Sequence, residues 1–395
     1  MDVENLSDYY YRLRLQDMLD FSGTTFNKSI KTTPTRVLKD IPGLTNYRLS
    51  DKNFFELSIG NRVLSDEVVE NGSIPIYSAN VFEEFGRIDK QNITDFSVPS
   101  ILWGIDGDWM VNIMPADKPF YPTDHCGVLR IKTDDIIPKY MALALQVEGE
   151  FERFSRSNRA STQRISNLVI QIPSVVDQQK VVDEIETIDK KITDEQAIII
   201  EQSEKVKSKF DEMFKSSQLI PLSNMAIVEM GQSPSGETYN NNGNGLLFHQ
   251  GKIAFGELYI NDSGVWTTKP TKIAEPYDVL MSVRAPVGDT NITLKKCCIG
   301  RGLASIRAIE GKAKPLYLIY AIRSIENEII GKTGVSFESI GKDEILSLYI
   351  PSAKIEKQNQ FADFVICSNK LKNEAQERIE KLTTLRKELI DKHFR

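Results

Sequence analysis

Two kinds of apolar pattern alternate along the chain. Residues 45–173 and 217–351 carry short β-branched runs broken by glycine and proline, which fit strands and hairpins better than helices. Between and after them lie long stretches with helical periodicity. The blocks repeat. NLVIQIPSVVDQQKVVDEI (167–185) has a counterpart in EILSLYIPSAKIEKQNQFADFV (344–365), each an apolar run, then Ile-Pro-Ser, then a glutamine-bearing polar stretch and a helix. Pro173 and Pro351 lie 178 residues apart. PSILWGIDGDWMVN (99–112) parallels YDVLMSVRAPVGDTN (277–291), and CGVLRIKT (126–133) parallels RGLASIRAI (301–309).

The helical stretches carry a seven-residue period. Ile185, Ile192, Ile199, Val206 and Met213 recur at that interval, with Val181 and Ile188 in the alternate position, later taken by Glu195, Gln202 and Lys209. In the last segment Phe361, Ser368, Ala375, Leu382 and Leu389 form one series, and Phe364, Leu371, Arg378 and Leu385 another. A sustained heptad with flanking charge is a coiled-coil signature. About 40 helical residues span roughly 60 Å, more than a small β-rich domain offers, so each helix is expected to pair with the other, antiparallel, within one molecule. The expected seam is Ile185, Ile188, Ile192, Ile199 and Val206 against Phe364, Leu371, Leu382, Leu385 and Leu389. The competing expectation is two surface helices, each packed on its own β-domain.

The predicted fold is therefore α+β, with pseudo-two-fold symmetry. Residues 1–44 are an N-terminal extension, in which YYYRLRLQDML reads as an amphipathic helix or a cover for the first domain. A β-rich domain follows (45–173), then a helical spacer (174–216), a second β-rich domain (217–351) and a second helical spacer (352–395). At 395 residues two domains are the natural expectation.

Charge changes the picture only when it is located. The net charge of −6 argues against a nucleic-acid binder, but residues 174–216 alone hold eleven acids against seven lysines. Basic residues collect elsewhere: Arg153, Arg156, Arg159 and Arg164 with no acid among them, and Arg284, Lys295, Lys296, Arg301 and Arg307 against Asp289 alone. One such patch in each half of the chain points to phosphate contacts. The four cysteines are scattered, no stretch is apolar enough to span a membrane and the N-terminus lacks a secretory signal, so a reducing cytoplasm is expected.

Catalytic signatures are missing. Gly331-Lys332-Thr333 lacks the upstream glycine of a phosphate loop, because Glu326 stands there. His125, His249 and His393 have no spaced zinc-ligand partners. Neither a GxSxG motif nor an Asn/Asp-Pro-Pro-aromatic motif occurs.

From about residue 45 to the end, the duplicated order resembles the specificity subunit of type I restriction-modification systems. The junctions QIPSVVDQQKVV and YIPSAKIEKQNQFADF, the segment YDVLMSVRAPVGD and the helix endings KVKSKFDEMF and RIEKLTTLRKELIDKHF carry the resemblance. It implies two target-recognition domains that read the halves of a bipartite, asymmetric site on double-stranded DNA. It further implies helices that set the unread spacer and dock two methyltransferase subunits, which hold S-adenosylmethionine. A restriction and motor subunit using ATP and magnesium joins for cleavage. No cofactor or metal is expected on this chain, which is expected to be non-catalytic. A related type IIB specificity subunit and a coiled-coil scaffold with two protein- or carbohydrate-binding β-domains are the other readings left open.

Side chains that fork onto base edges are chiefly Arg, Lys, Asn and Gln. The first domain offers Tyr77, Ser78 and Asn80 after the IPIY run, and the loop Arg156, Asn158, Arg159, Ser161 and Gln163. The second offers Gln232, Ser233, Ser235, Tyr239 and Asn240, then Arg284, with Lys332 and Ser336 in the loop matching the arginine-rich one. Ser, Asn and Gly clusters are also turn formers, Tyr77 could pack inward, and Trp103 and Trp109 read as core.

Overall fold

The computed structural model describes residues 42–326 and 339–394. The chain divides into two compact units, Met1–Lys191 with Lys381–Arg395, and Ile192–Glu380. The boundary therefore falls inside both long helices, not at their ends.

In the first unit β1 (Thr45–Arg48) pairs antiparallel with β9 (Val169–Ile172). The central sheet has the order β2 (Phe55–Ile59), β8 (Cys126–Ile131), β5 (Ser100–Gly104), β6 (Val111–Met114). A smaller sheet has the order β4 (Gly86–Ile88), β3 (Ile74–Tyr77), β7 (Tyr121–Pro122), with β3 and β7 parallel. Strand β5 is buried along its whole length, and its side chains alternate between two cores as the pleat requires. Ile101 and Trp103 join Met141 and Leu145 of helix α1 (Pro138–Phe151), while Leu102 meets Phe120, Cys126 and Val128 on the other face. Helix α2 (Thr162–Ser166) precedes β9. Helix α3 (Val175–Phe214) then runs for 40 residues.

The second unit repeats the plan. β10 (Leu219–Pro221) pairs with β20 (Tyr349–Pro351), and the central sheet has the order β11 (Ala226–Met230), β19 (Leu303–Ala308), β16 (Val279–Ser282), β17 (Thr290–Ile292). Val279 and Met281 pack with Leu318 and Ile322 of helix α4 (Pro315–Arg323), and Leu280 packs on the opposite face. The second sheet differs, with five strands in the order β12 (Tyr239–Asn240), β14 (Trp266–Thr267), β13 (Leu246–His249), β18 (Cys297–Ile299), β15 (Ile273–Ala274). Helix α5 (Lys342–Leu346) and helix α6 (Ile355–Phe394) complete the described residues.

One buried glutamine per unit fastens a long helix to its β-domain. The Gln178 side-chain oxygen accepts from the Ile137 amide at 2.7 Å, at the mouth of α1, and its nitrogen donates to the Asp135 and Pro173 carbonyls at 2.8 and 2.9 Å. Gln358 does the same, accepting from Lys314 at the mouth of α4 and donating to Lys312 and Ala353. Both side chains are fully buried, and each supplies groups that a helix start leaves without partners.

Helices α3 and α6 pair antiparallel. In the second unit Arg378 forks onto Glu195 at 2.7 and 2.9 Å, the Ser368 hydroxyl donates to the Gln202 carbonyl at 3.2 Å, and the rings of Phe210 and Phe361 lie 5.3 Å apart. In the first unit Arg386 binds Asp189, and Leu389 packs in the core that holds Ile185. Each helix also serves a β-domain core, Val181, Val182 and Ile185 at one end of α3 and Val206, Phe210 and Phe214 at the other, so the two expectations for the helices combine. Ile185, Ile188 and Val206 are buried and Ile192 and Ile199 half-buried. On α6 the seam needs correcting. Leu371 and Leu385 are exposed and Phe364 half-buried against the second core, whereas Phe361, Val365, Ser368, Lys372 and Ala375 are buried. The companion row is shifted by one position, to Val365, Lys372 and Arg386, and the polar ends of Lys372 and Arg386 are paired with carboxylates. Leu382 and Leu389 remain half-buried.

Replacing Gln178 or Gln358 by alanine leaves a helix-start amide and two carbonyls without their partner. Each variant is expected to lose roughly 2–3 kcal/mol in urea unfolding. A loss below about 0.5 kcal/mol in both would show that the glutamines do not fasten the helices.

Candidate nucleic-acid interface

At one end of each central sheet, five chain segments are bound together by backbone hydrogen bonds in the same pattern. In the first unit the Asn61 amide donates to Pro122, Gly60 to Cys126, Thr123 to Tyr77, Ile105 to His125 and Ala160 to Ile105. In the second, Gln232 donates to Ile299, Gly231 to Leu303, Gly300 to His249, Val283 to Gly302 and Ile340 to Val283, at 2.8–3.1 Å. The crossing needs bare backbone. A methyl group on Gly60 would sit 1.8 Å from the Pro122 carbonyl oxygen, and one on Gly231 2.2 Å from that of Gly300. The backbone plan is thus the same in both units, while the side chains it displays are not.

In the first unit the cluster is of mixed charge. Asp106 accepts from His125 Nδ1 at 2.8 Å and pairs with Arg159 at 3.3 Å. At the matched position in the second unit stands Arg284, whose backbone bridges to Ser339. Gln250 and Arg301 are exposed there, with Arg301 held by its amide on the Ser233 hydroxyl. Arg307, by contrast, is bound to Asp278 at 2.8 Å through two nitrogens, and Lys296 to Glu275. That leaves Arg284, Lys295 and Arg301 exposed, with no carboxylate in ion-pair range among the described residues.

Several residues singled out by sequence are occupied by the scaffold. Tyr77 ends β3 and packs against the Phe120 cluster, and the Ser78 hydroxyl accepts from Thr123. Asn80 caps its own turn by accepting from the Phe82 and Glu83 amides. Asn158 holds the Glu152 and Arg153 carbonyls and accepts from Arg164, whose guanidinium lies 4.8 Å from the Phe154 ring centre. Ser161 caps α2. Tyr239 stacks on Phe248 and donates to Pro234, Ser235 donates to Glu237, and Asn240 bonds Asn244 and Trp266. In Ser78, Asn80, Asn158, Ser161, Tyr239 and Asn240 the polar atoms shape turns and helix ends of the scaffold. Arg156, Gln163 and Gln232 are exposed, and Ser233 is half-buried. Lys332 and Ser336 lie outside the described residues, as do residues 1–41 of the N-terminal extension. Asn61, Arg62, His125 and Gln250 were not singled out; Gly-Asn at 60–61, matched by Gly-Gln at 231–232 after the first strand of the other block, was the legible signal for Asn61.

Nothing in the clusters resembles a nucleophile or metal centre. Burial pushes the Cys126 and Cys297 thiols up to about 12 and about 11. Among the described residues no group of three or more His, Cys, Asp or Glu is placed to hold a metal ion, and no helix is long and apolar enough to cross a membrane.

The family model for the type I restriction modification DNA specificity domain matches residues 45–202 and 217–382. A type I restriction enzyme specificity subunit of Methanocaldococcus jannaschii is 39% identical over 160 residues, 40% of this chain and 37% of that protein. The N-terminus of a type I specificity subunit from Mycoplasma pneumoniae is 29% identical over 90 residues, 22% of this chain and 48% of that one. The matches thus span less than half the length of either relative. In fold, the chain is similar to the type I restriction-modification S subunit of M. genitalium (TM-score 0.56, 15% identity, 91% of this chain and 98% of that). It is also similar to a chain from a structural study of complex assembly in a type I R-M system (TM-score 0.58, 22% identity, 91% and 99%).

His249 anchors the second cluster through its carbonyl, and its ring is buried with neither nitrogen hydrogen-bonded among the described residues. Burial lowers its pKa to about 4. Between pH 6.5 and 4 the unfolded chain therefore binds the extra proton, so stability falls as pH drops, by up to about 3 kcal/mol. His249→Phe is expected to flatten that part of the stability–pH curve; parallel curves for the two proteins would refute the assignment.

Proposed function

The chain belongs to the type I restriction-modification DNA specificity family, and from that premise we propose that it is the sequence-reading subunit of such a system. Each loop cluster reads one half of a bipartite site in double-stranded DNA. The carrying observation is the duplicated cluster, with one backbone plan and two unrelated sets of side chains. Backbone-fixed loops let side chains vary without unfolding the domain, as a reader of variable sequence requires. In the second unit Arg284 and Arg301 supply charge toward phosphate or guanine, and Gln232 and Gln250 supply paired donor and acceptor atoms. In the first unit Asn61, Arg62, Arg156, Arg159 and Gln163 take those parts.

The paired helices set the length of unread DNA and dock two methyltransferase subunits, with a restriction and motor subunit joining for cleavage in the cytoplasm. S-adenosylmethionine, ATP and magnesium belong to those partners, and this chain performs no bond chemistry itself.

Exchange of residues 217–350 for those of another family member is expected to change one half of the methylated site and leave the other. Altered modification at both halves would defeat modular reading. Arg284→Ala and Arg301→Ala are each expected to weaken duplex binding and to reduce the slope of log affinity against log salt by about one if the residue meets phosphate. An unchanged slope with altered site preference would place that arginine on a base instead. Matched seven-residue insertions after Lys191 and Glu380 are expected to lengthen the spacer with both half-sites preserved. Methylation mapping that returned the original spacing would refute the spacer role.

A further inference from the structure

The outer edge of the central sheet is treated differently in the two units. In the second unit the chain leaves β13 and runs beside β17: the Ile292 amide donates to Leu258 at 2.8 Å and the Ile260 amide to Ile292 at 3.0 Å. Asn291 holds the start of this cover, donating to the Gly256 carbonyl at 2.7 Å and accepting from its amide at 3.2 Å. Leu258 is buried and Tyr259 packs on the core. The Glu257 carboxylate accepts from the Ser203 hydroxyl at 3.2 Å and binds Lys372, while Arg323 donates to the Glu257 carbonyl at 2.8 Å.

Strand pairing matches Ile113 with Ile292 and Asn112 with Asn291, opposite Ile101 and Val279 respectively. Asn112 donates to the Val81 carbonyl at 2.7 Å, as Asn291 does to that of Gly256. There the likeness stops. After Phe82 the chain turns back, the Phe85 amide donating to Ile76, and enters β4. Among the described residues nothing pairs with the outer edge of β6, and the Ile113 amide donates only to its neighbour's side chain, Asn112 Oδ1, at 2.8 Å. Beside this edge lies a groove of about 500 Å³ lined by Trp109, Ile113, Leu143 and Gln146, with Lys139, Arg386, Glu150 and Asp189 in its wall; Arg386 is bound to Asp189, and Lys139 lies 4.0 Å from Glu186. Phe82 stands at its side, 60% exposed.

We propose that this groove and the open edge of β6 receive an extended segment of a partner protein, which supplies in the first unit what Glu257–Ile260 supply within the second. Its chemistry follows from that internal template: one carboxylate followed by apolar side chains, pairing its backbone with Ile113 and directing the carboxylate toward Lys139. Strand addition of this kind takes affinity from backbone hydrogen bonds and selectivity from alternate side-chain pockets. An unpaired edge beside an apolar groove is otherwise an association hazard.

The test uses the whole protein and a synthetic peptide with the sequence of residues 254–262, AFGELYIND. Saturable binding by calorimetry is expected, with amide exchange across residues 110–114 slowed about tenfold or more at saturation. Ile113→Pro, which removes the edge donor, and Leu143→Arg, which blocks the groove, are each expected to weaken binding by about tenfold or more. Both should keep the circular dichroism spectrum and DNA affinity of the parent, which separates failure of this site from failure of DNA reading. Unslowed exchange, or equal binding to the parent and both variants, would overturn the proposal. Binding seen only after removal of residues 1–41 would give the groove to the chain's own N-terminal segment, and competition by duplex DNA would give it to nucleic acid. Either result would overturn a partner strand.

Discussion

A helix of 40 residues with one apolar stripe is about 60 Å long, and no sheet of four short strands can cover it. That mismatch of length governs the rest of the architecture. Each end of α3 and of α6 is absorbed by a β-domain core, through Val181 and Ile185 at one end of α3 and Phe210 and Phe214 at the other. The remainder must bury its stripe against the other helix, and does so with polar residues inside the seam. Glu195 with Arg378 and Gln202 with Ser368 meet in one register only, because a shift by one turn would leave each group without its partner. The polar contacts thus specify alignment, while the apolar positions supply attraction.

The same division explains what the sequence disclosed. On α3 the apolar series is continuous enough for its period to be counted, and the duplicated Ile-Pro-Ser junctions mark where each helix leaves its domain. On α6 the series through Leu371 and Leu385 looked like seam because both are leucines, yet both face solvent. Lys372 and Arg386 lie on the buried side, each neutralised by a carboxylate, Glu257 and Asp189. Hydrophobic periodicity cannot register a buried cation whose partner comes from elsewhere in the fold. The strand-turn-strand segments 99–112 and 277–291 were legible as hairpins for the opposite reason: β5 and β16 are buried along their length, so every residue had to be apolar or small.

The loop clusters were legible as regions and not as residues. Asn80, Asn158 and Asn240 have the donors and acceptors of a base reader, but they spend them close by, on neighbouring backbone and on the side chains of Glu83 and Arg164. A short amide side chain two or three residues from a turn reaches its own chain before anything else, and that competition is invisible to composition. Positions that remain open are the ones just past a strand end, where tight backbone crossings at Gly60 and Gly231 push the next side chain outward. Asn61 and Gln232 occupy them, and only the repeat identifies their equivalence.

The two clusters differ most where their backbones agree best. Asp106 and Arg284 follow residues whose amides donate the same cross-loop bond, yet one carries a negative and the other a positive charge. If backbone geometry depended on those side chains, reversal of charge would distort it. Because five main-chain hydrogen bonds fix each cluster, the charge can reverse at no cost to the scaffold. The net charge of −6 is then no measure of the loops, where Arg284, Lys295 and Arg301 stand exposed without a carboxylate in ion-pair range among the described residues. A reading surface of this kind needs local sign, and local sign is what the scaffold leaves free to vary.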